Sequence, residues 1–180
     1  STLQRHSFPT RRSSDLKATK QYLLENLEKG FIINSNSLFA SPILFVKKSD
    51  SKLRFCINYC KLNSLTYNNP YPIPYIDKLL EQVLRAKIFT KLDIRQAFYY
   101  IQMHSNSKEY ITFQTCYRLY KCKVLLFSLT NGPVTYQRYI NNVLIQYLDN
   151  FCTAYLDNIL IYSKDPIGYV DYVYKVLQRL

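Results

Sequence analysis

Two aspartates occupy positions where a carboxylate can do chemistry. Asp93 ends KIFTKLDI, residues 87–94, which reads as a buried strand, and Asp157 sits at the tip of FCTAYLDNILIYS, residues 151–163. A strand end and a hairpin tip both lie at a sheet edge, so the two carboxylates can meet although 64 residues separate them. Carboxylates so placed suit Mg²⁺, a hard cation that takes a few carboxylate oxygens together with substrate phosphates. Either aspartate alone reads as a turn residue. Beside Asp157 stands Asn158, an amide that takes a left-handed turn as readily as aspartate does.

The elements that must position these residues follow from the apolar pattern. Residues 17–29 read as a helix with Leu23, Leu24 and Leu27 on one face, stopped by Gly30. SPILFVKK (41–48) and KLRFCIN (52–58) read as two strands joined by a polar turn at 49–51. NNPYPIP (68–74) is an extended, proline-punctuated linker. Ile76, Leu79, Leu80, Val83 and Leu84 then follow helical spacing.

YITFQT (110–115) and LYKCKVLLF (119–127) form a hairpin pair. Pro133 opens a helix whose stripe is Ile140, Val143, Leu144, Tyr147 and Leu148. Val170, Val173, Tyr174 and Leu177 make the last helical face. Helices interspersed with antiparallel hairpins indicate an α+β fold.

Composition narrows the class. The 180 residues are 48% hydrophobic, enough for one domain with a real core. No apolar run reaches the roughly 18 residues that span a bilayer, so no membrane partner is expected. No apolar segment follows the early basic residues as a signal peptide would require. The net charge of +12 favours polyanions, nucleic acid first among them.

Five cysteines without a secretion signal point to reduced thiols. The spacings Cys56-x3-Cys60 and Cys116-x5-Cys122 are poor for zinc. Glycine is scarce, with only 3 residues, so few positions suit left-handed turns.

Residues 1–16, STLQRHSFPTRRSSDL, carry no apolar period and are read as an unstructured leader. His6 to Leu16 match the translation of a common sequencing adapter letter for letter. Without Arg5, Arg11, Arg12 and Asp15 the net charge is still +10.

From Lys17 to Leu180 the chain resembles the reverse transcriptase domain of Gypsy-type long-terminal-repeat retrotransposons. The stretches that carry the resemblance are KGFI (29–32), SPILFVKK (41–48), LNSLTYNNPYPIPYIDKLL (62–80), AKIFTKLDI (86–94), LTNGPVTYQ (129–137) and YLDNILIYS (155–163). They run in that family's order and spacing. The resemblance implies the fingers and palm of a right-hand polymerase over residues 17–180, with the thumb absent. It implies DNA synthesis on an RNA or DNA template with a primer, from deoxynucleoside triphosphates. Two Mg²⁺ ions, which Mn²⁺ can replace, would serve it. Ribonuclease H and integrase regions of a polyprotein are expected but absent from this chain. The setting would be a cytoplasmic virus-like particle.

Carried over by position, the resemblance makes Asp93 the carboxylate that holds both metals, helped by the carbonyl of Ile94. Asp157 becomes the first Asp of the YxDD hairpin and Asn158 stands at the second. Phe98 would be the steric gate against a ribose 2′-hydroxyl. Taken without the resemblance, it is an ordinary core aromatic. Arg54, with Lys47 or Lys48, would contact the incoming triphosphate. The plain alternative for each lysine is a solvated strand edge. Gln137 would shape the template pocket.

Several positions depart from that family. It has Asp at Asn58 and Asn158, Arg at Cys60 and Cys116, Gly at Arg118 and Ser128, Pro at Leu126, and Ala at Gly132 and Val134. Ser128 fills a place where glycine lets backbone approach the nucleotide, and Arg118 in a hairpin is expected to strain its turn. Asn158 keeps the turn but removes a negative charge beside the metals. Asp to Asn, Arg to Cys, Gly to Ser or Arg, Pro to Leu and Ala to Val are each one C-to-T or G-to-A step, as cytosine deamination in silenced DNA would leave. The expectation is a reverse transcriptase fragment impaired by Asn158 and truncation. The alternative is a non-catalytic nucleic-acid-binding relic of a retroelement.

Overall fold

The computed structural model describes residues 13–47, 53–84 and 86–180. In chain order the elements are α1 (Ser13–Glu28), β1 (Ile32–Asn34), β2 (Ser41–Lys47), β3 (Leu53–Ile57), α2 (Cys60–Ser64), α3 (Ile76–Leu84) and β4 (Ile88–Asp93). There follow β5 (Thr112–Gln114), β6 (Leu119–Cys122), α4 (Gly132–Leu144), β7 (Cys152–Tyr155), β8 (Asn158–Ser163) and α5 (Tyr169–Arg179). The chain forms two compact units, one up to Leu65 with Gln102–Val124 and one of Thr66–Ile101 with Leu125–Leu180. The α+β expectation holds.

The first unit is built on a five-stranded sheet in the order β1-β6-β5-β2-β3. The expected hairpins are there: Leu44 opposes Cys56 across β2–β3, and Phe113 opposes Tyr120 across β5–β6. After Cys122 the chain leaves β5 for the segment around Met103, whose N–H donates to the Lys123 carbonyl at 2.8 Å. The second strand of that hairpin is therefore shorter than its apolar run.

Helix α1 begins at Ser13, not Lys17, so residues 13–16 are helical rather than an unstructured leader, whatever their origin. Its first turn holds Asp15, a favourable charge at a helix N-terminus, and the Asp15 carbonyl accepts from Thr19 Oγ1 at 2.7 Å. The buried face is Thr19, Leu23 and Asn26, while Leu24 and Leu27 are exposed. Asn26 can be buried because its Nδ2 donates to the Tyr22 carbonyl at 2.7 Å. The stop at Gly30 is as expected. Gly30 has φ +68°, and Phe31 N–H donates to Asn26 O while Gly30 N–H donates to Leu27 O.

The second unit is built on the antiparallel sheet β4-β8-β7, with α4 against β7 and α5 against β8. Ile140, Leu144, Cys152, Ala154, Ile159, Ile161 and Val176 are its dry centre. Each fully buried Ile or Leu there is worth about 1.5–3 kcal/mol. Side chains alternate along strands, so Ile159 and Ile161 of β8 face inward with Leu92 and Thr90, their register partners on β4. Phe89, Lys91 and Asp93 are exposed on the other face, so β4 is covered on one side only and is not the buried strand its apolar residues suggest.

Helix α5 differs from the expected face. Tyr169 and Val176 are buried, whereas Val170, Tyr174 and Leu177 are exposed. Apolar residues occur on both sides of this helix, so spacing alone could not tell which side meets the sheet.

Candidate active site

The carboxylate positions come together at one end of the β4-β8-β7 sheet. Asp93, the last residue of β4, is the direct register partner of Asn158, the first residue of β8. Side chains opposed in this way have Cβ atoms about 4.5–5.5 Å apart on the same face. That face is the exposed one, turned away from α4 and α5. The ladder closes with Ile94 N–H donating to the Asp157 carbonyl at 2.9 Å, which fixes Ile94 beside the hairpin.

The turn itself is Leu156–Asp157, since Tyr155 and Asn158 pair with each other across β7–β8. This corrects the expectation that Asn158 takes the left-handed position. The residue with φ +52° is Leu156. A leucine there is held against a cost of about 1–2 kcal/mol. Asn158 is instead a strand residue, and its Nδ2 donates to Oδ1 of Asp157 at 3.2 Å. The amide thus removes a charge and also occupies an oxygen of the neighbouring carboxylate.

What holds Leu156 is Gln137, a polar side chain with no exposed surface. Its Oε1 accepts from Leu156 N–H at 2.7 Å, and its Nε2 donates to the Ala154 carbonyl at 3.0 Å and to Asn141 Oδ1 at 2.8 Å. The family resemblance implies that Gln137 shapes a template pocket. Its carboxamide is spent inside the protein, so its influence on any substrate passes through the hairpin it holds.

Phe98 lies in a short 3-10 turn, Ala97–Tyr100, and is 9% exposed. Its ring meets Phe127 edge-on at 5.2 Å and Tyr136 at 5.0 Å. The Tyr136 hydroxyl is pushed up to about 12, chiefly by burial and then by the charges of Tyr139, Asp157 and Tyr100. Tyr136, Asn141 and Leu156 join the site only through the tertiary structure. The spacing of Gln137 to Asn141, four residues apart on α4, was the available signal.

Ser128 is exposed in the stretch before α4. A Cβ on Gly132 would lie 2.6 Å from the Leu126 carbonyl oxygen, so the backbone at Leu126 leaves no room for the alanine that the family has at 132. Arg118 does not have positive φ, and the expected strain in its turn is not there. Thr115 Oγ1 accepts from Arg118 N–H at 3.1 Å and donates to its carbonyl at 2.9 Å, which closes that turn without a glycine.

Arg54 is exposed on β3 opposite Val46, and Lys47 ends β2 opposite Leu53, both in the first unit. Lys48 lies outside the described residues, as does the turn at 49–51.

For a divalent cation the candidate donors at the hairpin are the carboxylates of Asp93 and Asp157. These are hard oxygen donors of the kind Mg²⁺ takes. Among the described residues no group of three His, Cys, Asp or Glu could hold a metal ion. The residues fit Mg²⁺ in kind, with an amide where a third charge would strengthen the site.

Residues 46–180 match the family model described as reverse transcriptase (RNA-dependent DNA polymerase). The Tf2-7 and Tf2-3 transposon polyproteins of Schizosaccharomyces pombe are 31% and 30% identical over 165 residues, 92% of this chain. The chain spans 12% of the length of these curated relatives. Among solved structures, the native Prototype Foamy Virus protease-reverse transcriptase superposes with TM-score 0.84 at 22% identity, covering 96% of this chain and 23% of that one. The foamy viral protease-reverse transcriptase in complex with RNA/DNA hybrid does so with TM-score 0.82 at 18% identity, over 93% and 23%. At these identities the likeness is one of fold.

Proposed function

The chain belongs to the reverse transcriptase family, and on that premise we propose that it is the fingers and palm of a retrotransposon RNA-directed DNA polymerase whose metal site is weakened by Asn158. The observation that carries this reading is the opposition of Asp93 and Asn158, with Asp157 in the adjoining turn, on the exposed face of the sheet.

Asp93 and Asp157, with the Ile94 carbonyl, would hold the divalent cations. Mg²⁺ held there would supply charge neutralisation at the triphosphate and acidify the primer 3′-hydroxyl. The chain's own part is positioning. Strand β4 presents Asp93, the Gln137-held turn presents Asp157, and the ladder keeps them in register. Arg54, Lys47 and Lys48 would receive triphosphate oxygens, the guanidinium in a bidentate manner. The ring of Phe98, backed by Phe127 and Tyr136, would exclude a ribose 2′-hydroxyl.

Partners under this reading are an RNA or DNA template with its primer and deoxynucleoside triphosphates. A net charge of +10 without the leader's Arg5, Arg11, Arg12 and Asp15, and a foamy viral protease-reverse transcriptase of like fold solved with RNA/DNA hybrid, support the nucleic-acid part.

Asn158 sets the level of activity. A unit charge about 4 Å away is worth up to about 4 kcal/mol at a protein surface, and each 1.4 kcal/mol is tenfold. The hydrogen bond from Asn158 to Asp157 adds to the loss. Primer extension on an RNA template, with Mg²⁺ and separately with Mn²⁺, tests this by comparing the chain with Asn158→Asp. The expected result is incorporation by Asn158→Asp that exceeds the parent by about 100-fold. Equal incorporation by both would overturn the role given to Asn158. Incorporation by neither would overturn the polymerase reading of this chain.

A further inference from the structure

The extended segment 66–74 is bonded to the hairpin tip through α4. Asn131, just before α4, donates from Nδ2 to the Tyr67 carbonyl at 2.8 Å, and its Oδ1 accepts from Asn69 N–H at 3.0 Å. Asn69 Oδ1 accepts from Arg138 at 2.9 Å and from Tyr71 N–H at 3.1 Å. The Arg138 guanidinium lies 5.0 Å from the centre of the Tyr71 ring. The hydroxyl of Tyr71 accepts from Asn141 Nδ2 at 2.9 Å, and Asn141 Oδ1 accepts from Gln137 Nε2. Gln137 then holds Ala154 and Leu156.

From this chain of bonds we infer that Tyr71 and Asn141 are positioning residues for the hairpin that carries Asp157, acting through Gln137. Both amide hydrogens of Gln137 are committed, one to Asn141 and one to Ala154. The first orients the carboxamide so that its oxygen meets Leu156 N–H. Leu156 has a disfavoured backbone and depends on that bond. Loosening Tyr71 or Asn141 frees the carboxamide to turn, and the loss appears at Leu156, several bonds from the substitution. The inference rests on the reading of Asp157 as a metal ligand only for its consequence, since the bonds themselves do not require a metal.

The test uses the full chain and follows hydrogen exchange of the Leu156 amide by NMR. Tyr71→Phe and Asn141→Leu are expected to speed that exchange about fivefold or more, the equivalent of one lost hydrogen bond. Asn141→Asp is expected to stay within about twofold of the parent, because its carboxylate still accepts from Gln137 and from the Tyr71 hydroxyl. Tyr174→Phe, which removes a hydroxyl bonded to Gln178 on α5, is the control and should change nothing at Leu156.

An unchanged Leu156 amide in Tyr71→Phe and Asn141→Leu would overturn the inference. So would an equal rise at Ile161 in the middle of β8, because that is general destabilisation. Mn²⁺ binding to the same variants in the Asn158→Asp background separates this from the functional reading. Weaker Mn²⁺ binding with Tyr71→Phe supports positioning. A faster Leu156 amide with no Mn²⁺ binding in any variant leaves the inference standing and removes the metal reading. Mn²⁺ binding with an unmoved Leu156 amide does the reverse.

Discussion

Asp93 and Asn158 face each other across the β4–β8 ladder, each at the end of its strand. The pair places one carboxylate and one amide side by side on the exposed face of the palm sheet, with the Asp157 turn next to them. A second carboxylate at position 158 would gather three negative charges at one sheet edge, a state that a divalent cation relieves.

Asn158→Asp should therefore make stability depend on metal. Like charges opposed across a strand pair destabilise by roughly 0.2–1 kcal/mol. The variant is expected to melt slightly below the parent in chelator and above it in millimolar Mg²⁺, while the parent barely responds to Mg²⁺. Scanning calorimetry with and without Mg²⁺ reads this. A parent that gains as much from Mg²⁺ as the variant would contradict it.

Leu156 carries the left-handed backbone of the hairpin. A β-branched side chain tolerates that conformation worse than leucine does. Leu156→Ile should lower stability by about 1–2 kcal/mol in a urea melt. An unchanged midpoint would mean that the turn adopts another conformation in solution.

Gly132 heads α4, where alanine would ordinarily stabilise the helix. Here a Cβ meets the Leu126 carbonyl at 2.6 Å. Gly132→Ala should cost about 1–3 kcal/mol through the backbone shift it forces. Gly168→Ala is the comparison, since its nearest neighbour would be a Tyr172 side-chain atom at 3.9 Å. Urea midpoints of the two variants should move apart, with only Gly132→Ala clearly lowered.

The cysteines divide by burial. Cys60 and Cys116 are exposed, whereas Cys122 and Cys152 are buried and their thiols are pushed up to about 12 by burial. A thiol reagent at mild pH should label the exposed pair quickly and the buried pair only on unfolding. Raised folded values also set a pH dependence. Below the ordinary thiol range both states hold the proton and stability is unaffected. Above it the unfolded chain releases protons that the folded chain retains, so stability falls as pH rises from about 9 towards 12. Tyr136 acts in the same sense from about 10 upward. Thermal melts between pH 8 and 11 should decline progressively, and a flat profile would count against the burial of these groups.

Much of this was legible in the chain because it depends on near neighbours. The Gly30 stop, the β2–β3 and β7–β8 pairs, the extended segment at 68–74 and the start of α4 near Pro133 all follow from local pattern. So does the position of Asp93 and Asp157 at element ends. Residues that decide family membership are likewise a matter of order and spacing along the chain.

What only the tertiary structure decided is pairing over distance. Spacing put Asp157 and Asn158 at a hairpin tip, but the register of β8 against both β4 and β7 determines that Leu156, not Asn158, takes the left-handed turn. Helical spacing puts Gln137 in line with Ile140 and Leu144, but only β7, which brings Ala154 and Leu156 against α4, supplies the partners that let its carboxamide be buried. Helix α5 has apolar residues on both sides, and contact with β8 selected Tyr169 and Val176. In each case the local pattern permits several arrangements of similar energy. The choice among them comes from backbone groups and apolar surface that meet only once strands distant in sequence have paired.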